Sequence, residues 1–161
     1  MTEPDENEID SLDIWEHTPH SVRLSFEEMY EFGADIVPQF LGFVTDYKHL
    51  SAIIPQHFTI IDVGCAYQPQ SYYFQNHNAY YGVAPDEVLR FEFGKRCHSV
   101  RQTIGMFIKT PEFLALNLDE TFAICNYVPP WYSENAAEIT RKTFRNLYVF
   151  YPHGNELVVK I

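Results

Sequence analysis

Seven consecutive residues, Phe58-Thr59-Ile60-Ile61-Asp62-Val63-Gly64, constrain this chain more than any other stretch. The run is short, β-branched and almost continuously apolar, which suits a strand covered on both faces rather than one with a solvated side. Such a strand needs neighbours along both edges and helices over both faces. In one chain that means strands alternating with helices.

The remaining sequence supplies those partners. After a turn containing Pro69, residues 70–76 suit a short helix and Ala79-Tyr80-Tyr81-Gly82-Val83-Ala84 suits the next strand. Thr121-Phe122-Ala123-Ile124-Cys125-Asn126 is a further buried-strand candidate, followed by the stiff Pro129-Pro130 turn. Ser133 can cap a helix reaching to Arg145, whose last turn carries the cations that a helix C-terminus favours. Residues 147–151 and 156–161 flank Pro152-His153-Gly154-Asn155, the spacing of two antiparallel strands joined by a four-residue loop. Upstream, Ser25-Phe26-Glu27-Glu28 has the spacing of a capping box, and helices are expected over 26–36 and 38–48 with Pro38 between them. Residues 86–118 read least clearly: a helix starting near Pro85 and one further strand are expected, with Pro111 breaking any longer pattern. The fold class expected is α/β, a three-layer sandwich on a mostly parallel, Rossmann-like sheet that ends in an antiparallel hairpin.

Composition sets the organisation. The 161 residues are 46% hydrophobic and 16% aromatic, enough to fill one core. Residues 1–20 carry Glu3, Asp5, Glu6, Glu8, Asp10, Asp13 and Glu16 without a lysine or arginine, so mutual repulsion opposes compaction. An acidic, mobile arm over 1–20 and a single domain over 21–161 are expected. The formal net charge is −11, and the cations gather only in two small groups, Lys95, Arg96 and Arg101, and Arg141, Lys142 and Arg145. Direct binding to duplex nucleic acid is therefore disfavoured. No apolar run approaches the roughly 18 to 20 residues of a membrane helix, and the N-terminus lacks a basic-then-apolar leader, so a soluble, cytoplasmic protein is expected. Cys65, Cys97 and Cys125 are odd in number, far apart and form no CxxC pair. Neither a disulfide framework nor a metal site is indicated.

The site expected in a parallel sheet lies beyond the carboxyl ends of its strands. There stands Asp62-Val63-Gly64-Cys65-Ala66-Tyr67-Gln68, which resembles the signature of class I S-adenosylmethionine-dependent methyltransferases: an acidic residue followed by glycines at alternate positions, where backbone approaches the cofactor's methionine portion. Gly64 is the first glycine, and Ala66 and Gln68 replace the other two. Tyr81-Gly82-Val83-Ala84 is similar to the family's second strand, whose end supplies an acid to the ribose hydroxyls. Here that end is Ala84, with Asp86 as the nearest carboxylate. Asn126-Tyr127-Val128-Pro129-Pro130-Trp131 resembles the Asn/Asp-Pro-Pro-aromatic turn of amino-group methyltransferases, with Val128 in the acceptor's place before the prolines. The resemblance spans about residues 58–161 and implies a shortened, methyltransferase-type sheet with degenerate motifs. It implies S-adenosylmethionine as cofactor, held by Asp62, Gly64, Ala66, Tyr67, Ala84 and Asp86. Asn126, Pro129, Pro130 and Trp131 would then stand at the reacting group, aligned by position rather than by acid-base chemistry.

Each feature also has a plainer account. Asp62 can cap the following helix, Gly64 can serve a tight turn, the double proline can end a strand, and the tyrosines near both strands can be core. A different class of function also fits the composition: a non-catalytic acidic protein that occupies the basic, nucleic-acid-binding face of a protein partner. A hydrolase is disfavoured, because the sequence has no Gly-x-Ser-x-Gly elbow.

Overall fold

A computed structural model describes residues 46–65, 68–85, 90–125, 135–151 and 154–159. The chain divides into two units after Ile53. Among the described residues of the first, 46–53 form a helix, α1, with Ser51 Oγ donating to the Lys48 carbonyl at 2.6 Å. The expected stop at Lys48 is thus five residues early. The helix runs on until Ile54, which precedes Pro55 and is pushed out of helical geometry by the proline ring.

The second unit is built on one six-stranded sheet: β1 Thr59–Val63, β2 Ala79–Val83, β3 Cys97–Val100, β4 Thr121–Cys125, β5 Asn146–Tyr151 and β6 Gly154–Val158, in the spatial order β3-β2-β1-β4-β5-β6. Neighbours from β3 to β5 are parallel, and β6 returns antiparallel to β5. The fold is α/β, with a mostly parallel sheet ending in an antiparallel hairpin. β1 and β4 lie at the centre and are buried throughout, as their mostly apolar sequences require. Burying side chains such as Ile60, Ile61 and Ile124 stabilises the fold by about 1.5–3 kcal/mol each.

The two faces differ in chemistry. Ile61, Val63, Val83, Ala123, Cys125, Leu147 and Val149 point to one side and pack with residues of three helices. These are α2 Ile104–Phe107, α3 Pro111–Leu114 and α4 Ala136–Thr143. Opposite them, Ile60, Asp62, Tyr80 and Gly82 share the other face, since register partners project the same way. A 3₁₀ turn, Pro69–Phe74, lies over that face, with the Phe74 ring stacked on Tyr80 at 5.8 Å between centroids.

Residues 90–125 hold more than the expected helix and strand. β3 is the strand, and residues 90–93 are not helical; residues 86–89, where the expected helix begins, lie outside those described. α2 and α3 are single turns, each with its own threonine cap: Thr103 accepts from the Met106 amide, and Thr110 from the Phe113 amide with Pro111 as first helical residue. The expected helix over 70–76 is the shorter 3₁₀ turn. α4 spans Ala136–Thr143, ending two residues before the expected Arg145, and the expected cap Ser133 lies outside the described residues. At the terminal hairpin, Tyr151 pairs with Gly154 and Phe150 with Asn155. Only Pro152 and His153 separate the strands, so the connection is two residues long and not four: Gly154 and Asn155, although turn-type residues, continue the ladder. Among the described residues, no helix is long and apolar enough to cross a membrane.

Candidate functional site

The chain passes outward through β1, β2 and β3 and then returns to β4 on the other side of β1, so the strand order reverses between β1 and β4. Open parallel sheets hold their ligands in the crevice at such a reversal. Val63 and Cys125 are register partners, so both strands deliver their carboxyl ends at one level, with Gly64 the next residue after β1.

Gly64 has φ +75°, a conformation that costs a side-chain-bearing residue strain, and its amide donates to the Val83 carbonyl at 2.9 Å. Gln68 closes the same turn with φ +51°, in the left-handed region. The backbone at both positions is therefore of the glycine type, although only one is a glycine.

The Gln68 side chain turns into the protein. It is fully buried, with Nε2 donating to Ser99 Oγ at 2.9 Å and lying 3.5 Å from Cys97 Sγ, while Oε1 lies 3.7 Å from Cys65 Sγ. Gly82 provides the room: a β-carbon there would overlap Gln68 Oε1 and stand 3.0 Å from Cys65 Sγ. Ser99 Oγ passes the chain outward, donating to Glu92 Oε1 at 3.2 Å.

Beneath the turn, Asp62 is fully buried, and its Oδ2 accepts from Gln70 Nε2 at 2.7 Å and from the Tyr80 hydroxyl. Gln70 Nε2 also donates to the Cys65 carbonyl at 3.1 Å, so the carboxylate braces the turn through one amide group. Asp62 does this through the side chains of Gln70 and Tyr80. Gln70 Oε1 is buried without a hydrogen-bond partner. At the end of β2, Ala84 is buried, and its amide donates to the Val100 carbonyl at 3.1 Å. The guanidinium of Arg90 spans this corner, donating to the carbonyls of Gly82 (2.8 Å), Ala84 (2.6 Å) and Val100 (3.2 Å). It adds a second donor to the Val100 carbonyl, which already accepts from the Ala84 amide, and so ties the ends of β2 and β3 together.

The thiols near this corner are held protonated. Burial pushes Cys97 up to about 11, with the Ser71 side chain opposing the shift and the Glu92 charge adding to it. Burial pushes Cys125 up to about 12, against a hydrogen bond from Thr140. Neither is a nucleophile at neutral pH.

Of the residues expected at the site, Asp62, Gly64 and Ala84 come together around the ends of β1 and β2. Ala66, Tyr67 and Asp86 lie outside the described residues, as do Asn126, Pro129, Pro130 and Trp131. Three residues that build this corner, Gln68 through its side chain, Gln70 and Arg90, were not expected there, whereas Tyr80 is among the tyrosines that can be core or line a pocket. One signal was present for Gln68: a lone glycine inside a strand, Gly82, marks close approach by another group. Nothing in the sequence distinguishes Arg90 from a surface arginine.

Against S-adenosylmethionine, the turn and the strand end differ. The turn keeps positive-φ backbone at Gly64 and Gln68 and buries the long Gln68 side chain against Ser99, so that side chain does not stand in the way of a ligand at the turn's backbone. The end of β2 carries no carboxylate for ribose hydroxyls within the described residues and presents Arg90 instead. Comparisons with family models, curated proteins and solved structures find no match to this chain.

Proposed function

We propose that residues 54–161 form a shortened domain of the S-adenosylmethionine-dependent methyltransferase type, layered as a three-layer sandwich, that holds an adenosyl ligand at the turn after β1 but does so weakly and without efficient methyl transfer. One observation carries the reading: Gly64 and Gln68 frame a turn of glycine-type backbone at the reversal of strand order, with the intruding Gln68 side chain lodged over Gly82. The antiparallel β6 beside β5 supports it, since the resemblance implies a parallel sheet closed by such a hairpin.

Weak binding follows from the end of β2. A ribose diol normally shares two hydrogen bonds with one carboxylate, and hydrogen bonds to a charged group are worth about 1.5–3 kcal/mol each. Losing both weakens binding by about two to four powers of ten, and by about one to two where Asp86 restores one of them. Inefficient transfer follows from alignment: attack on a sulfonium methyl needs a positioned acceptor, and Val128 replaces the polar residue that would position it.

Calorimetric titration with S-adenosylmethionine and S-adenosylhomocysteine tests this. Weak, saturable heats for both ligands are expected, reduced by Asp86→Ala. Silence at millimolar ligand, in protein shown to be folded, contradicts the cofactor reading.

A further inference from the structure

The edge of the sheet at β3 carries a second feature that does not depend on the cofactor reading. Among the described residues, β3 is the outermost strand at its end of the sheet. The Tyr80 amide donates to the Arg96 carbonyl, and the Ala84 amide to the Val100 carbonyl. Alternate residues of a strand direct their backbone groups to the same side, so 96, 98 and 100 face β2, while Cys97 and Ser99 turn their N–H and C=O groups outward. Outside them lies a groove of about 510 Å³, lined by Cys97, His98, Ser99 and Phe107, with Glu92 and Glu112 as well as Arg101 among its walls.

The two carboxylates are placed with the alternation of a strand. Glu92 accepts from Ser99 Oγ, which puts it level with Ser99 on the face that carries Gln68. Glu112 lies near enough to Tyr81 for its charge to raise the phenol's pKa, after the larger effect of burial. Tyr81 is the register partner of His98, and their rings stack at 4.7 Å. Glu112 lines the groove together with His98 and Phe107, on the face where Tyr81 packs against Phe107. Both carboxylates are exposed, and neither meets a cation among the described residues.

We infer that the outer edge of β3 is a docking edge for an extended, lysine- or arginine-bearing segment of another protein, which adds to the sheet as a further strand between Glu92 and Glu112. Main-chain hydrogen bonds to Cys97 and Ser99 supply the pairing. Adjacent residues of the incoming strand project to opposite faces, so two neighbouring cationic side chains reach Glu92 and Glu112 together. A second copy of this chain fits poorly. Antiparallel pairing of Cys97 in one copy with Ser99 in the other sets Lys95 of one copy against Arg101 of the other, and each copy carries a net charge of −11.

Fluorescence anisotropy of the full chain tests the inference with a labelled octapeptide of alternating threonine and valine, carrying two adjacent lysines at its centre. Saturable binding that weakens with salt is expected. Glu92→Lys with Glu112→Lys, both exposed positions, should weaken it about tenfold and favour a peptide with two glutamates in place of the lysines. N-methylation of one set of alternate peptide amides should abolish binding, while methylation of the other set leaves it intact, because only one set faces β3. No saturable binding, equal affinity for the reversed-charge variant, or indifference to both N-methylation patterns each overturns the docking edge. None of these results bears on the cofactor reading, which is decided by the adenosyl ligands.

Discussion

The side chain of Gln68 occupies the space that a β-carbon on Gly82 would need, so a turn residue and the middle of β2 are sterically matched. Gly82→Ala should therefore displace the Gln68 amide from its hydrogen bonds and destabilise the domain by about 1–3 kcal/mol, the cost of a buried polar group left unsatisfied. In Gln68→Ala the added methyl group meets less, and the double variant should be more stable than the sum of the single losses implies. Denaturant unfolding of the four proteins checks this; strict additivity contradicts the match.

Gln68→Gly isolates the backbone contribution. Glycine relieves the left-handed strain, worth roughly 1–2 kcal/mol, but removes the buried amide and leaves a cavity. Net destabilisation smaller than that of Gln68→Ala is expected, because alanine keeps the strain while losing the same bonds. Thermal melts at one pH give the order.

Tyr80→Phe deletes the hydroxyl that donates to the buried Asp62 carboxylate. Loss of a hydrogen bond to a charged group should cost about 1.5–3 kcal/mol. Tyr80→Phe in an Asp62→Asn background should cost clearly less. Equal losses in both backgrounds would mean that the pair is not coupled.

His77 makes stability depend on pH. Its ring is buried, Nε2 pairs with the Ile54 carbonyl at 3.0 Å, and Nδ1 has no partner, so burial holds its pKa below the ordinary 6.5. Because the unfolded chain binds the proton more readily, His77's contribution is fully present above about pH 6.5 and is lost as pH falls below it. His77→Gln should flatten this part of the stability profile, measured by unfolding between about pH 5 and 7. An unchanged slope contradicts the assignment.

The buried thiols give a complementary alkaline signature. With Cys97 raised to about 11 and Cys125 to about 12, the unfolded chain ionises first, so their contributions are full below about pH 9 and decline above it. An aromatic disulfide reagent at pH 8 should label folded Cys125 far more slowly than the same residue in denaturant. Rapid labelling of native Cys125 contradicts its burial.

What was readable in the sequence follows burial. β1 and β4 stand out because a strand covered on both faces must be apolar throughout, and Thr59–Val63 and Thr121–Cys125 are nearly so. β3, Cys-His-Ser-Val in sequence, is an edge strand with half-buried positions, so its composition resembles a loop. α2 and α3 are too short to show helical periodicity and are specified by their threonine caps instead. The candidate site was readable at Asp62, Gly64 and Ala84, where motif and strand end coincide. Gln68 and Arg90 were not, because each is polar, and its burial depends on carbonyls and side chains brought from distant strands.

The most direct measurement is an amide NMR titration of the isotope-labelled chain with S-adenosylhomocysteine. Saturable shifts centred on Gly64, Cys65, Gln68 and Ala84, with the β3 edge amides of Cys97 and Ser99 unmoved or following only slightly, are the expected result. Absence of shifts at the turn at millimolar ligand, or shifts confined to a different face of the sheet, contradicts an adenosyl site beyond β1.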